Sequence, residues 1–327
     1  VKILITEFMD EAAVDWLRQR FEVRYDPSLV ERRGDILTGL ADVDALIVRN
    51  RTQVDDALLK IAPKLRVVGR LGVGLDNIDV NACGSANITV IPATGANSLA
   101  VAEYVICAVM MLLRGAYHST TQVAAGAWPR MALSNGRETA GKTLGIIGFG
   151  GIGREVARLA AGLGMRVVAY DAMLPKDAPT WQQANVSPRD LDALLAEADA
   201  VTLHVPLVAE TRRLIDARRI AKMKKGAVLV NTSRGGVVDE LAMAEALKSG
   251  ALGGAALDVF EQEPLKADSP LVNIPNLVLT PHVAGLSIEA NGRVSTLIAE
   301  KVAEALASQP SPLAGVGGSS AAGRRTG

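Results

Sequence analysis

Cysteine is nearly absent from this 327-residue chain, with Cys83 and Cys107 the only two. Their number and spacing suit neither a disulfide framework nor a thiolate metal site, and they point to a reducing compartment. Net charge is missing too. Lys plus Arg and Asp plus Glu stand at 35 each, so the charge balance directs the chain neither to nucleic acid nor to an acidic membrane surface. Long apolar runs are lacking: the most apolar helix candidate, Val101 to Leu113, is too short to span a bilayer and carries Glu103 near its start. The opening VKILITE reads as a first strand and lacks the charged-then-apolar start of a signal peptide. Aromatics are few at 3%, yet 49% of residues are hydrophobic, which is the composition of a soluble globular protein, and the length allows two domains. The expectation is a cytoplasmic protein with no metal, no nucleic acid and no membrane partner.

What is present is one organised stretch, Lys142 to Asp171, reading KTLGIIGFGGIGREVARLAAGLGMRVVAYD. The apolar run Thr143 to Ile147 suits a parallel strand buried on both faces. Gly148, Gly150 and Gly153 follow in G-x-G-x-x-G spacing, with Gly151 and Ile152 inside the same turn. A helical pattern then puts Val156, Leu159, Ala160 and Leu163 on one face; Gly164 closes it, and Arg166 to Tyr170 forms a second strand ending at Asp171. The first glycine permits the tight turn, the second lets backbone approach a pyrophosphate, and the third lets helix pack on strand. Phosphates would sit at the positive end of the helix dipole, against unpaired N–H groups. Asp171 is placed to accept hydrogen bonds from the adenosine ribose diol and to repel a 2′-phosphate, and no arginine follows directly, so NAD is expected over NADP. The surrounding strand, helix and acidic strand end are the context that separates this motif from a structural glycine turn.

Before that stretch, strands are expected at Val1–Thr6, Ala45–Val48 and Leu65–Val68, with helices at Asp10–Arg20 and Asp55–Ile61, a first small α/β unit. Arg49, Arg51 and Arg70 fall at its strand ends. They read either as solvated surface arginines or as a site for carboxylate, phosphate or sulfonate, which guanidinium forks suit. A helix from about Ser98 to Arg114 is apolar on more than one face, so it should be buried between domains or subunits. Tyr117 to Ala140 reads as an irregular arm, with Trp128 an interface or packing residue. After Asp171, strands are expected at Ala200–Leu203, Ala227–Asn231, Ala255–Val259 and Leu277–Thr280, and helices at Leu191–Glu197, Glu240–Ser249 and Ile288–Leu306. From 309 to 327 the composition turns to Pro, Gly, Ser and Ala, the pattern of a disordered tail.

Ligands of open parallel sheets bind outside the carboxyl ends of the strands. Consecutive strands deliver Arg234, Glu263 and His282 just past those ends. Singly, each has a dull explanation: a turn cap, an exposed acidic run, a loop histidine. Together they supply what hydride transfer to a 2-keto acid requires. Arg234 can hold the substrate carboxylate or carbonyl oxygen, His282 can give or take the proton, and Glu263 beside the imidazole favours its charged form.

These residues carry a resemblance. VNTSRGGVVDE, LDVFEQEP and LTPHVAG resemble the signature blocks of the D-isomer-specific 2-hydroxy acid dehydrogenase family, and GVGLDNID, TGANSLAVAEYV and GKTLGIIGFGGIGREVA extend the match over nearly the whole chain. The resemblance implies an α/β fold with two Rossmann-like doubly wound parallel-sheet domains and a cleft between them. The substrate-binding domain would be 1–97 plus 286–308, and the NAD-binding domain 98–285. It implies Arg234, Glu263 and His282 as the catalytic trio. It places His204, Val205, Pro206, Thr232, Ser233, Asp258 and Gly285 along the cofactor, with Arg234 and His282 beside it and Asp258 near the carboxamide. Arg49, Arg51, Arg70, Val73, Gly74, Asn97 and Arg234 are the expected substrate contacts, and a homodimer through the cofactor domain the expected assembly.

Within the family, VRNRTQV and GRLGVGLDNID resemble the 3-phosphoglycerate and (S)-sulfolactate dehydrogenases, so a substrate with a second anion beyond its carboxylate is expected. Competing readings are a corepressor of the same fold that senses NADH, and a glyoxylate or hydroxypyruvate reductase, whose NADPH-preferring forms would want a basic pair where Asp171 stands. Formate dehydrogenases of this fold would carry Gln where Glu263 stands.

Overall fold

Short, fully apolar runs such as Ala45–Val48 and Ala227–Val230 can be satisfied only inside a sheet covered on both faces. The computed structural model, which describes residues 1–308, places them so, in two parallel sheets. The chain divides into two units, Val1–Asn97 with the segment beginning at Ser287, and Ser98–Leu286. The Pro- and Gly-rich stretch 309–327, expected to be a disordered tail, lies outside the described residues.

The first unit holds β1 (Lys2–Ile5), β2 (Glu22–Tyr25), β3 (Ala45–Val48), β4 (Val67–Arg70) and β5 (Thr89–Pro92) in the order β2-β1-β3-β4-β5. Side chains alternate across this sheet with the strand period of two. Ile3, Ile5, Ile47 and Val67 meet Val14, Leu17, Ile298 and Val302 on one face, whereas Leu4, Leu46, Val48 and Val68 meet Leu29, Ile36 and Leu58 on the other. The long helix Ile288–Ser308 lies against β4. Gly69 makes that approach possible: a Cβ there would stand 2.7 Å from Val302 and 2.8 Å from Ile298.

The second unit holds β6 (Thr143–Ile147), β7 (Arg166–Tyr170), β8 (Ser187–Pro188), β9 (Ala200–Leu203), β10 (Ala227–Asn231), β11 (Leu252–Leu257) and β12 (Leu277–Leu279), ordered β12-β11-β10-β9-β6-β7-β8. The helices Ser98–Arg114 and Gly151–Gly162 pack on each other, with Val101, Val105, Val109, Val156 and Ala160 buried against Ile146 and Val228. Leu194, Leu195, Met243 and Leu247 cover the opposite face.

Several expectations need correction. β4 runs to Arg70, two residues beyond the expected end, and β11 starts at Leu252 and stops at Leu257, short of Val259. The expected irregular arm contains a 3-10 turn, Ala116–Ser119, and a short helix, Thr120–Ala124. β2, β5 and β8 lay outside the sequence reading altogether. Among the described residues no single helix is long and apolar enough to cross a membrane.

Candidate active site

β6 and β9 are neighbours although β7 and β8 intervene in sequence, so the order reverses between them and opens the crevice where such sheets bind ligands. Gly148 ends β6 there. Its φ is +93°, and a Cβ would lie 2.3 Å from the His204 carbonyl oxygen at the end of β9. At Gly153 a Cβ would lie 2.2 Å from the Gly148 carbonyl. Gly150 differs, since a Cβ there would meet nothing within 4 Å. The first and third glycines are therefore required by the chain itself, whereas the second faces open space at the N-cap of the helix Gly151–Gly162, the cradle a pyrophosphate needs.

Asp171, just past β7, ties this turn down. Its Oδ2 accepts the Phe149 N–H at 2.7 Å and its Oδ1 accepts the Met173 N–H at 2.8 Å. Phe149 is anchored in turn by stacking on Trp181 with ring centroids 4.7 Å apart, a contact worth ~1 kcal/mol beyond its buried area. His204 Nε2 is 3.0 Å from Thr202 Oγ1, and enclosure of the ring pushes the imidazole down to about 3, so it is neutral. Although His204 as a whole is half-buried, its Nδ1 is sealed from solvent without a hydrogen-bond partner, as is Thr232 Oγ1. A buried polar atom left so costs ~1–3 kcal/mol. The open face at Gly150 and these orphaned atoms at the strand ends fit a polar, phosphate-bearing cofactor.

Arg234, Glu263 and His282 arrive past the ends of the neighbouring strands β10, β11 and β12. Asn231, which sequence reasoning passed over as a strand end, organises the first turn. Its Oδ1 accepts both the N–H and the hydroxyl of Ser233, at 3.0 and 2.8 Å, and its Nδ2 donates to the Arg234 carbonyl at 3.0 Å. The Ser233 hydroxyl expected to lie along the cofactor thus donates within its own turn. Arg234 Nη1 donates to the Ser233 carbonyl at 2.6 Å. Gly235 abuts Phe260 so closely that a Cβ would stand 1.7 Å from its carbonyl oxygen, which draws the Arg234 turn against the 260–263 turn. Glu240, also passed over, accepts the Glu261 N–H at 2.6 Å from the start of its helix, and burial raises its carboxyl above the usual range. Glu263 Oε1 accepts the Phe260 N–H at 3.1 Å, and Oε2 lies 2.9 Å from His282 Nδ1. Both side chains keep about two-fifths of their surface, 38% and 42%, so the imidazole Nε2 edge is open to a substrate. Asp258, 1% exposed, accepts from the Thr280 hydroxyl (2.6 Å) and from the Val283 and Ala284 N–H groups (2.8 Å each). These contacts fix the segment that carries His282 and runs on to Gly285.

In the first unit, considered by itself, the switch point lies between β1 and β3. Buried Glu7, also absent from the sequence reading, accepts the N–H groups of Arg49, Arg51 and Thr52 at 2.9, 3.2 and 2.9 Å. Arg49 donates to Asn291 Oδ1 at 2.6 Å and to the Phe8 carbonyl at 3.4 Å and has no ion-pair partner among the described residues. Arg51 is mostly exposed and paired with Glu31 at 2.6 Å. Arg70 folds back over Gly72, where a Cβ would collide with its guanidinium. Val73 and Gly74 follow in the same loop, and Asn97 has a buried Oδ1 without a partner.

Residues 106–284 match the family model described as D-isomer specific 2-hydroxyacid dehydrogenase, NAD binding domain. The chain belongs to the D-isomer-specific 2-hydroxyacid dehydrogenase family. It is 55% identical over 304 residues to an (S)-sulfolactate dehydrogenase of Chromohalobacter salexigens, covering 93% of this chain and 98% of that one. It is 39% identical to a D-3-phosphoglycerate dehydrogenase of Archaeoglobus fulgidus over 92% of this chain, and spans just over half, 56%, of that relative's length. A crystal structure of a Thermus thermophilus protein superposes with a TM-score of 0.85 at 34% identity, covering 95% of this chain and 99% of that one. As a member of this dehydrogenase family, the chain is an NAD-dependent 2-hydroxyacid oxidoreductase. NAD is the cofactor of this family.

Proposed function

We propose that this dehydrogenase interconverts a 2-hydroxy acid bearing a second anionic group, of the (S)-sulfolactate type, with its 2-keto acid. The observation that carries the reading is Arg49. Its guanidinium sits at the switch point of the first unit's sheet, held in place by neutral acceptors and, among the described residues, without a direct carboxylate partner. The identity to an (S)-sulfolactate dehydrogenase along nearly the full length of both chains supports the same substrate class. The stereochemistry is coherent as well. CH2SO3⁻ outranks carboxylate in naming priority and CH2OPO3²⁻ does not, so (S)-sulfolactate and D-3-phosphoglycerate share one spatial arrangement.

The second unit holds the cofactor through Gly148 to Gly153, Asp171, His204 to Pro206, Thr232, Asp258 and Gly285. The first binds the substrate, with Arg49, Arg51, Arg70, Val73, Gly74 and Asn97 as its contacts. Bound NAD supplies the hydride acceptor, and in its reduced form the donor. Arg234 grips the substrate carboxylate through charge-assisted hydrogen bonds. His282 takes the hydroxyl proton at Nε2 during oxidation and returns it during reduction. Glu263 accepts the Nδ1–H and so fixes the tautomer and the orientation of the ring.

The chain works as a cytoplasmic homodimer in this reading. Tyr117 (64% exposed), Trp128 (79%) and Met131 (81%) cluster on one segment of the second unit, an apolar surface that a second copy would cover. Sedimentation of wild type and Trp128→Asp tests that assembly. Steady-state kinetics with NAD and sulfolactate, 3-phosphoglycerate, glycerate, malate and lactate test the substrate. Sulfolactate should lead in kcat/KM, and equal values for lactate or glycerate would remove the argument from Arg49.

A further inference from the structure

His282 occupies a backbone conformation that few residues other than glycine adopt. Its φ is +58°, left-handed space that costs a side-chain-bearing residue ~1 kcal/mol or more and persists only where the surroundings enforce it. The enforcement comes from Asp258, whose carboxylate holds the residues on both sides: the Thr280 hydroxyl before His282, and the Val283 and Ala284 N–H groups after it. Asp258 is buried to 1%, so water cannot replace a lost donor. The chain of contacts extends one step further. Tyr104, on the helix Ser98–Arg114, places its hydroxyl 2.6 Å from Thr280 Oγ1. Thr280 has a single hydroxyl hydrogen, and it is directed to Asp258 Oδ1. Tyr104 must therefore donate and Thr280 accept. Burial raises the Tyr104 phenol above its usual range, so the donor keeps its hydrogen throughout the working pH.

We infer that Tyr104 is a positioning residue for the acid–base histidine, acting through Thr280 and Asp258 to hold His282 against Glu263. Without the phenol hydrogen the Thr280 hydroxyl is free to rotate, Asp258 loses a fixed donor, and the His282 backbone relaxes out of left-handed space. The inference rests on the role proposed above for His282, and its geometry lies wholly within the second unit.

The test compares Tyr104→Phe, Thr280→Val and Thr280→Ser in the full chain, with sulfolactate and NAD as substrates. Tyr104→Phe and Thr280→Val should each lower kcat about tenfold while KM for NAD moves by less than about twofold. Thr280→Ser, which keeps the hydroxyl, should restore most of the rate. In a His282→Gln background, Tyr104→Phe should cause no further loss, because the group it positions is gone. An equal fold-loss in that background would overturn the inference, since the phenol would then act elsewhere. A second readout does not depend on turnover. The chain has three histidines, so the ring signals of His282 can be assigned by nuclear magnetic resonance from His282→Gln. Those signals should shift in Tyr104→Phe, and unchanged signals with unchanged kcat would sink the relay. If His282→Gln keeps full activity, the reaction assigned to His282 fails, while the ring signals still decide whether Tyr104 holds it.

Discussion

His282 Nδ1 lies 2.9 Å from Glu263 Oε2, and the other oxygen of that carboxylate is fastened to the Phe260 N–H at 3.1 Å. The imidazole is therefore oriented by an acceptor that is itself fixed, with Nε2 left for the substrate. His282→Ala should lower kcat by about 10²–10⁴ with little change in KM for NAD, the range of a lost general acid–base. Glu263→Gln keeps the shape and removes the charge, so a loss of roughly 10–100-fold in kcat is expected, and the double variant should be little worse than His282→Ala alone because the two act as a unit. Additive losses in kcat would show that they do not.

The glycine turn makes opposite demands at two positions. Gly153→Ala would place a methyl group 2.2 Å from the Gly148 carbonyl oxygen, a backbone atom that cannot turn aside, so it should lower the melting temperature by several degrees. Gly150→Ala meets nothing within 4 Å and its φ of −75° is ordinary for alanine. It should leave the melting temperature unchanged and weaken NADH binding by about tenfold or more, since the methyl group occupies the phosphate cradle. Thermal melts beside NADH fluorescence titration separate the two. Unimpaired NADH binding by Gly150→Ala would put the cofactor elsewhere.

Much of this arrangement was legible in the residues, and the exceptions share a physical cause. The buried strands announce themselves as apolar runs, and Arg234 and Glu263 stand past two of them, whereas His282 follows the half-buried edge strand β12. β2 and β5 are the edges of the first sheet and β8 an edge of the second. Their residues are half-buried or alternate with exposed ones, and Pro92 and Pro188 sit within them, a position proline tolerates only where no partner needs its missing N–H. Glu7, Asn231, Glu240 and the hydroxyl of Thr280 were missed for other reasons. Glu7, Glu240 and the Thr280 hydroxyl meet partners brought near only by folding, which neither spacing nor periodicity records. Asn231 instead closes a local turn onto Ser233 and Arg234, of the kind asparagine favours. Arg51 shows the converse, since its charge was visible in the sequence but its partner Glu31, 2.6 Å away, was not.

Asp171, proposed to discriminate between cofactors by charge, also anchors Phe149 through Oδ2 at 2.7 Å. Asp171→Ala should therefore have two effects: NAD binding weakens, because the turn loses its tether, and the preference for NAD over NADP shrinks by about tenfold or more, because a 2′-phosphate no longer meets a carboxylate. Paired kcat/KM values for the two cofactors measure both. An unchanged ratio would leave Asp171 a purely structural role.

Arg49 and Arg51 differ in what already occupies them. Arg49 is half-buried, burial draws its guanidinium below the usual range, and its hydrogen bonds among the described residues go to neutral acceptors. Arg51 is exposed and engaged by Glu31. Arg49→Ala should lower kcat/KM for sulfolactate by about 100-fold while affecting lactate far less, as expected for a charge-assisted contact of ~1.5–3 kcal/mol. Arg51→Ala should have the smaller effect, since any anion it bound would first have to displace Glu31. Equal losses on lactate and sulfolactate for Arg49→Ala would make that residue structural.

His204 links the cofactor turn to acid stability. Its ordinary value is 6.5, and ring burial lowers it to about 3 in the folded chain. The unfolded chain therefore binds a proton at this residue as pH falls through 6.5, and the folded chain does not until near 3. The stability associated with neutral His204 is fully present above pH 6.5 and is lost progressively as pH falls toward 3. By pH 4.5 the loss amounts to roughly 3 kcal/mol at most. His204→Gln keeps a polar side chain that does not titrate. Urea unfolding at pH 7.5 and at pH 4.5 should accordingly show a smaller loss for His204→Gln than for wild type, with the carboxylates common to both cancelling in the comparison. Identical losses would mean that the imidazole takes up its proton in the folded chain as readily as in the unfolded one, and that the pocket around Thr202 does not enforce its neutrality.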